Sequence, residues 1–142
     1  MKLRRDVDLD ALNARGSGRL PGWFGLKVVR IDERELAMQL AIQPQMLAPN
    51  GFLHAASVIA LADTACGFAT IAHLPDGAEN FTTIELKCNF LGTATEGTLE
   101  TVARGVHLGR TTQVWDAEVC DLANGRTLAL FRCTQMVLWP RR

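Results

Sequence analysis

Counting histidine as neutral, the stretch HAASVIALADTACGFATIAHL, His54 to Leu74, holds one formal charge, the carboxylate of Asp63. It has no proline and a single glycine, Gly67, and is far too long for an ordinary strand, so it is predicted as a helix over about 54–74. Aspartate is a poor helix-interior residue, and a buried ionised carboxylate is costly unless paired or hydrogen-bonded. One reading makes Asp63 the N-cap of a shorter helix after a strand SVIALA, or lets it bond an amide or hydroxyl in the core. The other makes it a working acid or base in a pocket, its proton affinity raised by desolvation.

Just upstream, Asn50-Gly51-Phe52-Leu53-His54 runs into Ala55-Ala56. The first amides of a helix lack internal partners and sit at the positive end of its dipole. They suit the oxyanion of a tetrahedral intermediate, although any helix start could hold a stray anion. Ala55 and Asp63 are eight residues apart, about 12 Å along a helix axis. Attack needs reacting atoms about 3–3.5 Å apart, so one carbonyl cannot use both groups of one chain. Two antiparallel copies of the helix would bring Asp63 of one near the Ala55 amide of the other. A working site would then lie between chains and occur twice.

The elements that must position these groups follow from periodicity. Residues 8–14 read as a short helix opened by Asp8 and closed near Gly16 and Gly18. Segments 24–31 and 35–43 form a hairpin across Asp32-Glu33-Arg34, with Leu36, Met38, Leu40 and Ile42 on one face. A loop from Pro44 to Leu53 precedes the long helix, and Pro75-Asp76-Gly77 turns the chain after it. Four strands follow at 81–91, 97–107, 111–121 and 127–138, with Asn124-Gly125 marking the last hairpin. In the first of them, Ile84, Leu86, Cys88 and Phe90 are expected opposite Thr83, Glu85, Lys87 and Asn89. A helix apolar nearly all round must be covered on most sides. A curved antiparallel sheet wrapped round it, with a second subunit over the remainder, meets that need. The class is α+β, with residues 1–142 as one domain.

Bulk properties narrow the function. The chain has 142 residues, 48% hydrophobic, and 15 basic against 15 acidic groups. Such a balance gives no electrostatic footprint for nucleic acid or anionic membrane. Arg4, Arg5 and three nearby aspartates break any apolar signal run, and Asp63, Thr64 and Thr70 argue against a span at 53–74. Cys66, Cys88, Cys120 and Cys133 are widely spaced, suggesting neither zinc nor a redox pair, and a reducing cytoplasmic setting is the default. The three histidines make no metal pattern. His73, at the end of the helix, fits a partly protonated imidazole on the dipole. His107 reads as structural, and Trp115 and Trp139 as core or interface anchors. Ser57 lacks a nucleophile-elbow context.

Pro49-x-Gly51-x-x-His54-Ala55-Ala56, followed by Leu61-Ala62-Asp63-Thr64-Ala65, resembles the signature of PaaI-type thioesterases in the 4-hydroxybenzoyl-CoA thioesterase group. The likeness extends to Thr83-Ile84-Glu85-Leu86-Lys87, Val106-His107-Leu108-Gly109 and Gln113-Val114-Trp115. It implies a hotdog fold, dimers with two boundary active sites, a homotetramer, and hydrolysis of an acyl- or aroyl-CoA thioester. Asp63 would be nucleophile or general base, the Ala55 amide the oxyanion hole, and His54 a positioner of the carbonyl. Asn50, Gly51, Thr64, Thr83 and Arg110 are the substrate-binding candidates. No metal or cofactor is implied beyond the CoA of the substrate. Several positions depart from the pattern. Ala55-Ala56 stand where relatives have Gly-Gly, and Ala48 where an Asn or Gln orients the leaving side, with Asn50 nearby. Gly67 replaces a Ser or Thr that holds water. Gly92 replaces an Arg that meets CoA phosphates, a charge that Arg110 or Arg104 could supply. These departures motivate two alternatives, a non-hydrolytic acyl-CoA-binding protein and a hotdog enoyl-CoA hydratase.

Overall fold

The computed structural model describes residues 2–141. Helix α1 spans Leu9–Arg15, with Asp8 accepting the Ala11 amide at 2.8 Å as its cap. Asn13 pins α1 to the sheet, its amide bonding both the N–H and the C=O of Val28 at 2.8 and 3.1 Å. A one-turn helix α2 over Leu20–Trp23 was not expected; Pro21 at its start favours it. It delays the first strand, so β1 is Lys27–Asp32 rather than 24–31. The hairpin to β2, Glu35–Ala41, turns through Arg34 at φ 64°.

The loop after β2 contains a single 3-10 turn, Pro44–Met46, and α3 then runs unbroken over Ala55–Ala72. Strands β3 (Asn80–Phe90), β4 (Thr98–Leu108), β5 (Thr112–Asp121) and β6 (Thr127–Leu138) match the expected segments to within a residue. All pairings are antiparallel, in the order β1-β2-β4-β5-β6-β3. Inward residues such as Leu36, Met38, Leu40, Leu99, Ala103, Trp115, Val119 and Phe131 enclose Leu61, Ala65 and Ala69 of α3. Trp115 is thus a core residue. This is the hotdog arrangement. Among the described residues α3 is the one helix long and apolar enough to cross a membrane, and 61% of it is buried inside the fold.

Two features depart from the simple alternation. A bulge between Thr83 and Glu85 returns Thr83 to the inner face, paired with Gln135, beside Leu86 and Cys88, which pair with Cys133 and Phe131. The expected grouping of Thr83 with Glu85, Lys87 and Asn89 is therefore wrong. Coverage of α3 is also incomplete: Ala56, Ile59, Ala60, Asp63, Thr64 and Phe68 form a strip that the sheet leaves partly open. Edge strand β3 borders it and exposes Ile84 by 55%, Leu86 by 41% and Phe90 by 46%. A long apolar edge of this kind invites pairing with another chain.

Candidate active site

Helix α3 starts at His54, whose backbone is extended (φ −65°, ψ 137°) and whose Nδ1 accepts the Ala56 N–H at 2.9 Å. That bond fixes the tautomer: the proton of the ring sits on Nε2, and the residue is exposed. The His54 carbonyl takes the Ser57 amide at 2.9 Å and, more weakly, Val58 at 3.4 Å. Among the described residues, Ala55 is then the first-turn amide without an acceptor. Its lone N–H lies at the positive end of an 18-residue helix.

The loop that aims this amide is tied down tightly. Met46 accepts the His54 N–H at 3.1 Å and the buried Ser57 hydroxyl at 2.8 Å. Leu53 donates to Thr93 Oγ1 at 3.2 Å. Asn50 closes a local turn, accepting the Phe52 N–H at 3.1 Å, and Gly51 follows at φ 85°, a backbone state that favours glycine. Beside Ala55 lies an open, mainly apolar cleft of about 280 Å³ walled by Phe52, Leu53, Val58, Phe90, Gly92 and Thr93.

Asp63 lies inside the continuous helix, so it caps nothing. It is half-buried on the open strip, and its Oδ1 is buried without a hydrogen-bond partner among the described residues. With no cation paired to it among the described residues, desolvation raises its proton affinity above that of an ordinary carboxylate. Thr64 lies next to it, also half-buried. One turn on, the Phe81 ring lies against Gly67, 3.0 Å from where a Cβ would stand. Thr83 donates its hydroxyl proton to Gln135 at 2.7 Å.

These residues fall into two groups on one chain. Asn50, Gly51, His54 and Ala55 cluster at the start of α3, while Asp63 and Thr64 lie about two turns along it and Thr83 stands apart on β3. Arg110 joins neither. It sits in the β4–β5 turn, its guanidinium 4.3 Å from the centroid of Trp139, whose indole N–H donates to the Arg110 carbonyl at 3.2 Å. The same turn precedes Gln113, which bonds the His73 carbonyl at 2.9 Å, so Arg110 belongs to the C-terminal end of α3.

His73 requires a correction. Its Nδ1–H donates to Ala69 O at 2.8 Å while Nε2 accepts the Arg34 N–H at 2.9 Å, a pattern only the neutral ring can make. Burial lowers its proton affinity further, so the partly protonated imidazole expected at the dipole is not the native form. Sequence reasoning missed Phe81 and Gln135. Gln135 was detectable as a polar residue at an inward position between Cys133 and Val137.

Residues 50–128, more than half of the chain, match the family model described as thioesterase superfamily. A 1,4-dihydroxy-2-naphthoyl-CoA hydrolase from Escherichia coli is 28% identical over 135 residues, covering 95% of this chain and 98% of the relative. The proofreading thioesterase EntH of Cronobacter turicensis is 27% identical, covering 95% and 97%. Among solved structures, a mutant thioesterase from Pseudomonas aeruginosa superposes with a TM-score of 0.90 at 27% identity, covering 96% of this chain and 97% of the other. The PaaI protein of Escherichia coli gives 0.80 at 25% identity, covering 90% of each. Family match, fold and core helix agree: the chain belongs to the thioesterase superfamily as a hotdog-fold acyl-CoA thioesterase.

Proposed function

We propose that the protein hydrolyses an acyl- or aroyl-CoA thioester at sites shared by two copies of the chain, with Asp63 as general base or nucleophile. The observation that carries this reading is a pair of groups on one helix that are unpartnered among the described residues: the Ala55 N–H at its tip and the Asp63 carboxyl on its open strip. Their separation of about 12 Å requires the amide of one copy to work with the acid of another. The exposed edge of β3 supports a homodimer, and doubling of that dimer would give the homotetramer.

In the general-base form, water attacks the thioester carbonyl carbon as Asp63 takes its proton. Negative charge builds on the carbonyl oxygen, where the Ala55 N–H is aimed, and His54 Nε2–H is the neighbouring donor. Collapse breaks the C–S bond, and the proton on Asp63 passes to the departing CoA thiolate. Phe52, Phe90 and Val58 offer an apolar wall to the group beside the carbonyl. Asn50 and Gly51 shape the entry loop. Arg110 is left for CoA phosphate only if the partner brings it to the opposite end. The four unpaired thiols, two of them buried, are consistent with a cytoplasmic setting.

The test is thiol release from a panel of acyl- and aroyl-CoAs by the wild type and Asp63→Asn. Turnover lost in the variant with oligomeric state retained is the expected result. Wild-type turnover in Asp63→Asn removes the carboxylate from the chemistry. Thermal stabilisation by CoA esters without thiol release from any of them would mark a binding protein instead.

A further inference from the structure

The hairpin between β5 and β6 turns through Asn124-Gly125, with Gly125 at φ 70°, and delivers Arg126 just before β6. Its backbone is clamped on both sides: the Arg126 N–H donates to Asn124 Oδ1 at 2.9 Å, and its carbonyl accepts the Asp121 N–H at 3.0 Å. The side chain crosses to the segment after β3, where Nη2 donates to the Thr93 carbonyl at 2.7 Å. Gly92 makes room for it. A Cβ there would stand 3.2 Å from Leu128 Cδ2 and 3.5 Å from Arg126 Nη2. Gly92 and Thr93 also wall the cleft beside Ala55, and Thr93 Oγ1 holds the Leu53 N–H at 3.2 Å. The guanidinium is thus fastened to the same wall that ties down the entry loop.

That guanidinium has charge to spare. Among the described residues only its Nη2 finds an acceptor, and no carboxylate lies within ion-pair distance of it. Asp121, across the turn, spends its oxygens on the Ala123 N–H at 2.9 Å and the Asn124 side chain at 3.3 Å. Arg104, by contrast, is held by Glu35 at 3.0 Å, and Arg110 stacks on Trp139 toward the other end of α3. An exposed, planar donor set without a carboxylate partner suits the oxygens of a phosphate. Reach decides which phosphate. From the Ala55 amide through Leu53 and Thr93 to Arg126 the path is at most about 17 Å, two extended residues and one side chain joined by hydrogen bonds. The pantetheine arm of CoA has a backbone about as long as four extended residues, so it covers about 14 Å between thioester and diphosphate. The 3′-phosphate lies a nucleoside further on.

We propose that Arg126 is a substrate-binding residue that grips the diphosphate of the CoA arm and so draws the thioester along the cleft toward the Ala55 amide. The Thr93 carbonyl keeps the guanidinium in place, and Gly92 leaves the space through which it reaches. This rests on the CoA-ester reading above and adds to it the residue that recognises the leaving half, on the same chain as the amide. A contact so far from the reacting carbon is the same in ground and transition states, so it acts on KM rather than on kcat.

The test measures kcat and KM of the wild type, Arg126→Gln and Arg126→Lys on benzoyl-CoA, benzoyl-dephospho-CoA and benzoyl-pantetheine, and titrates each protein with CoA by calorimetry. Arg126→Gln should raise KM on both CoA esters by about five- to tenfold, with kcat within about twofold, and should weaken CoA binding by a similar factor. Benzoyl-pantetheine, which has no diphosphate, should be handled alike by all three proteins. Arg126→Lys should recover part of the loss, because it keeps the charge without the fork. Added salt should raise the wild-type KM more than that of Arg126→Gln. Unchanged KM and CoA affinity in Arg126→Gln would overturn the inference. So would an equal loss on benzoyl-pantetheine, which would make Arg126 a prop for the Thr93 wall, or a loss confined to benzoyl-CoA, which would move the contact to the 3′-phosphate. Absence of thiol release from the wild type would overturn the hydrolytic reading instead, and the CoA titration would still decide Arg126.

Discussion

Replacing Ala55 by proline deletes one hydrogen atom from the proposed chemistry and almost nothing from the fold. Ala55 is the first residue of α3, and its N–H has no acceptor among the described residues, so no protein hydrogen bond is lost. Proline is favoured at this position, with φ near −65° already suited to the helix. The preceding residue must be extended, and His54 already is, at φ −65° and ψ 137°. Folding stability should hold or rise by up to about 1 kcal/mol, because the unfolded chain loses freedom. Catalysis should not survive so well. Removing one oxyanion donor costs about 3–4 kcal/mol of transition-state stabilisation, or about 10²–10³ in kcat. Ala55→Val separates bulk from the lost donor: it adds a comparable volume to the cleft but keeps the N–H, so its defect should fall mainly on KM. Thiol-release kinetics beside a thermal melt would read both effects. A folded Ala55→Pro protein with wild-type kcat would refute the assignment of this amide.

Other perturbations follow from the same geometry. Burial raises the Asp63 pKa above its ordinary 3.8, so the folded state holds a proton that the unfolded chain has already lost, and stability falls as pH rises between the two values. Asp63→Asn should therefore melt higher than wild type at pH 7 and lose that advantage below about pH 3.8, as read by thermal melts across pH. For His73 the folded pKa is lowered from 6.5, so its contribution is complete above that value and declines as pH drops below it, by at most about 1.4 kcal/mol per pH unit. Urea midpoints should show this acid limb, and His73→Gln should flatten it. Gly22 fails differently: a Cβ there would stand 2.4 Å from the Gly16 carbonyl oxygen, so Gly22→Ala should destabilise by about 1–3 kcal/mol in a melt.

The long elements were legible because their periods are strong. The predominantly apolar character from Ala55 to Ala72 and alternation in the last four strands placed the helix and sheet to within a residue or two. Helix α2 escaped because four residues carry no period, and the glycines flanking Pro21 look like loop. The face of Thr83 was misjudged because a bulge inserts one residue, and alternation counts residues without seeing which of them pairs. His73 was read from its place on the dipole, yet Arg34, 39 residues away, supplies the N–H that demands the neutral ring. Asp63 was visible as a chemical anomaly in the string. The bond between Thr83 and the buried Gln135 is a product of strand pairing, which no local pattern encodes.

The unbroken course of α3 from Ala55 to Asp63 ties the two proposed sites of a dimer to one mechanical variable. Each rod carries a donor and an acid at a spacing that side-chain motion can hardly alter. In a twofold pair, sliding one rod along the other lengthens or shortens both acid-to-donor gaps together, by about 1.5 Å for each residue of travel. Substitutions at the contact between the rods, far from either reacting group, would thus tune both sites in unison.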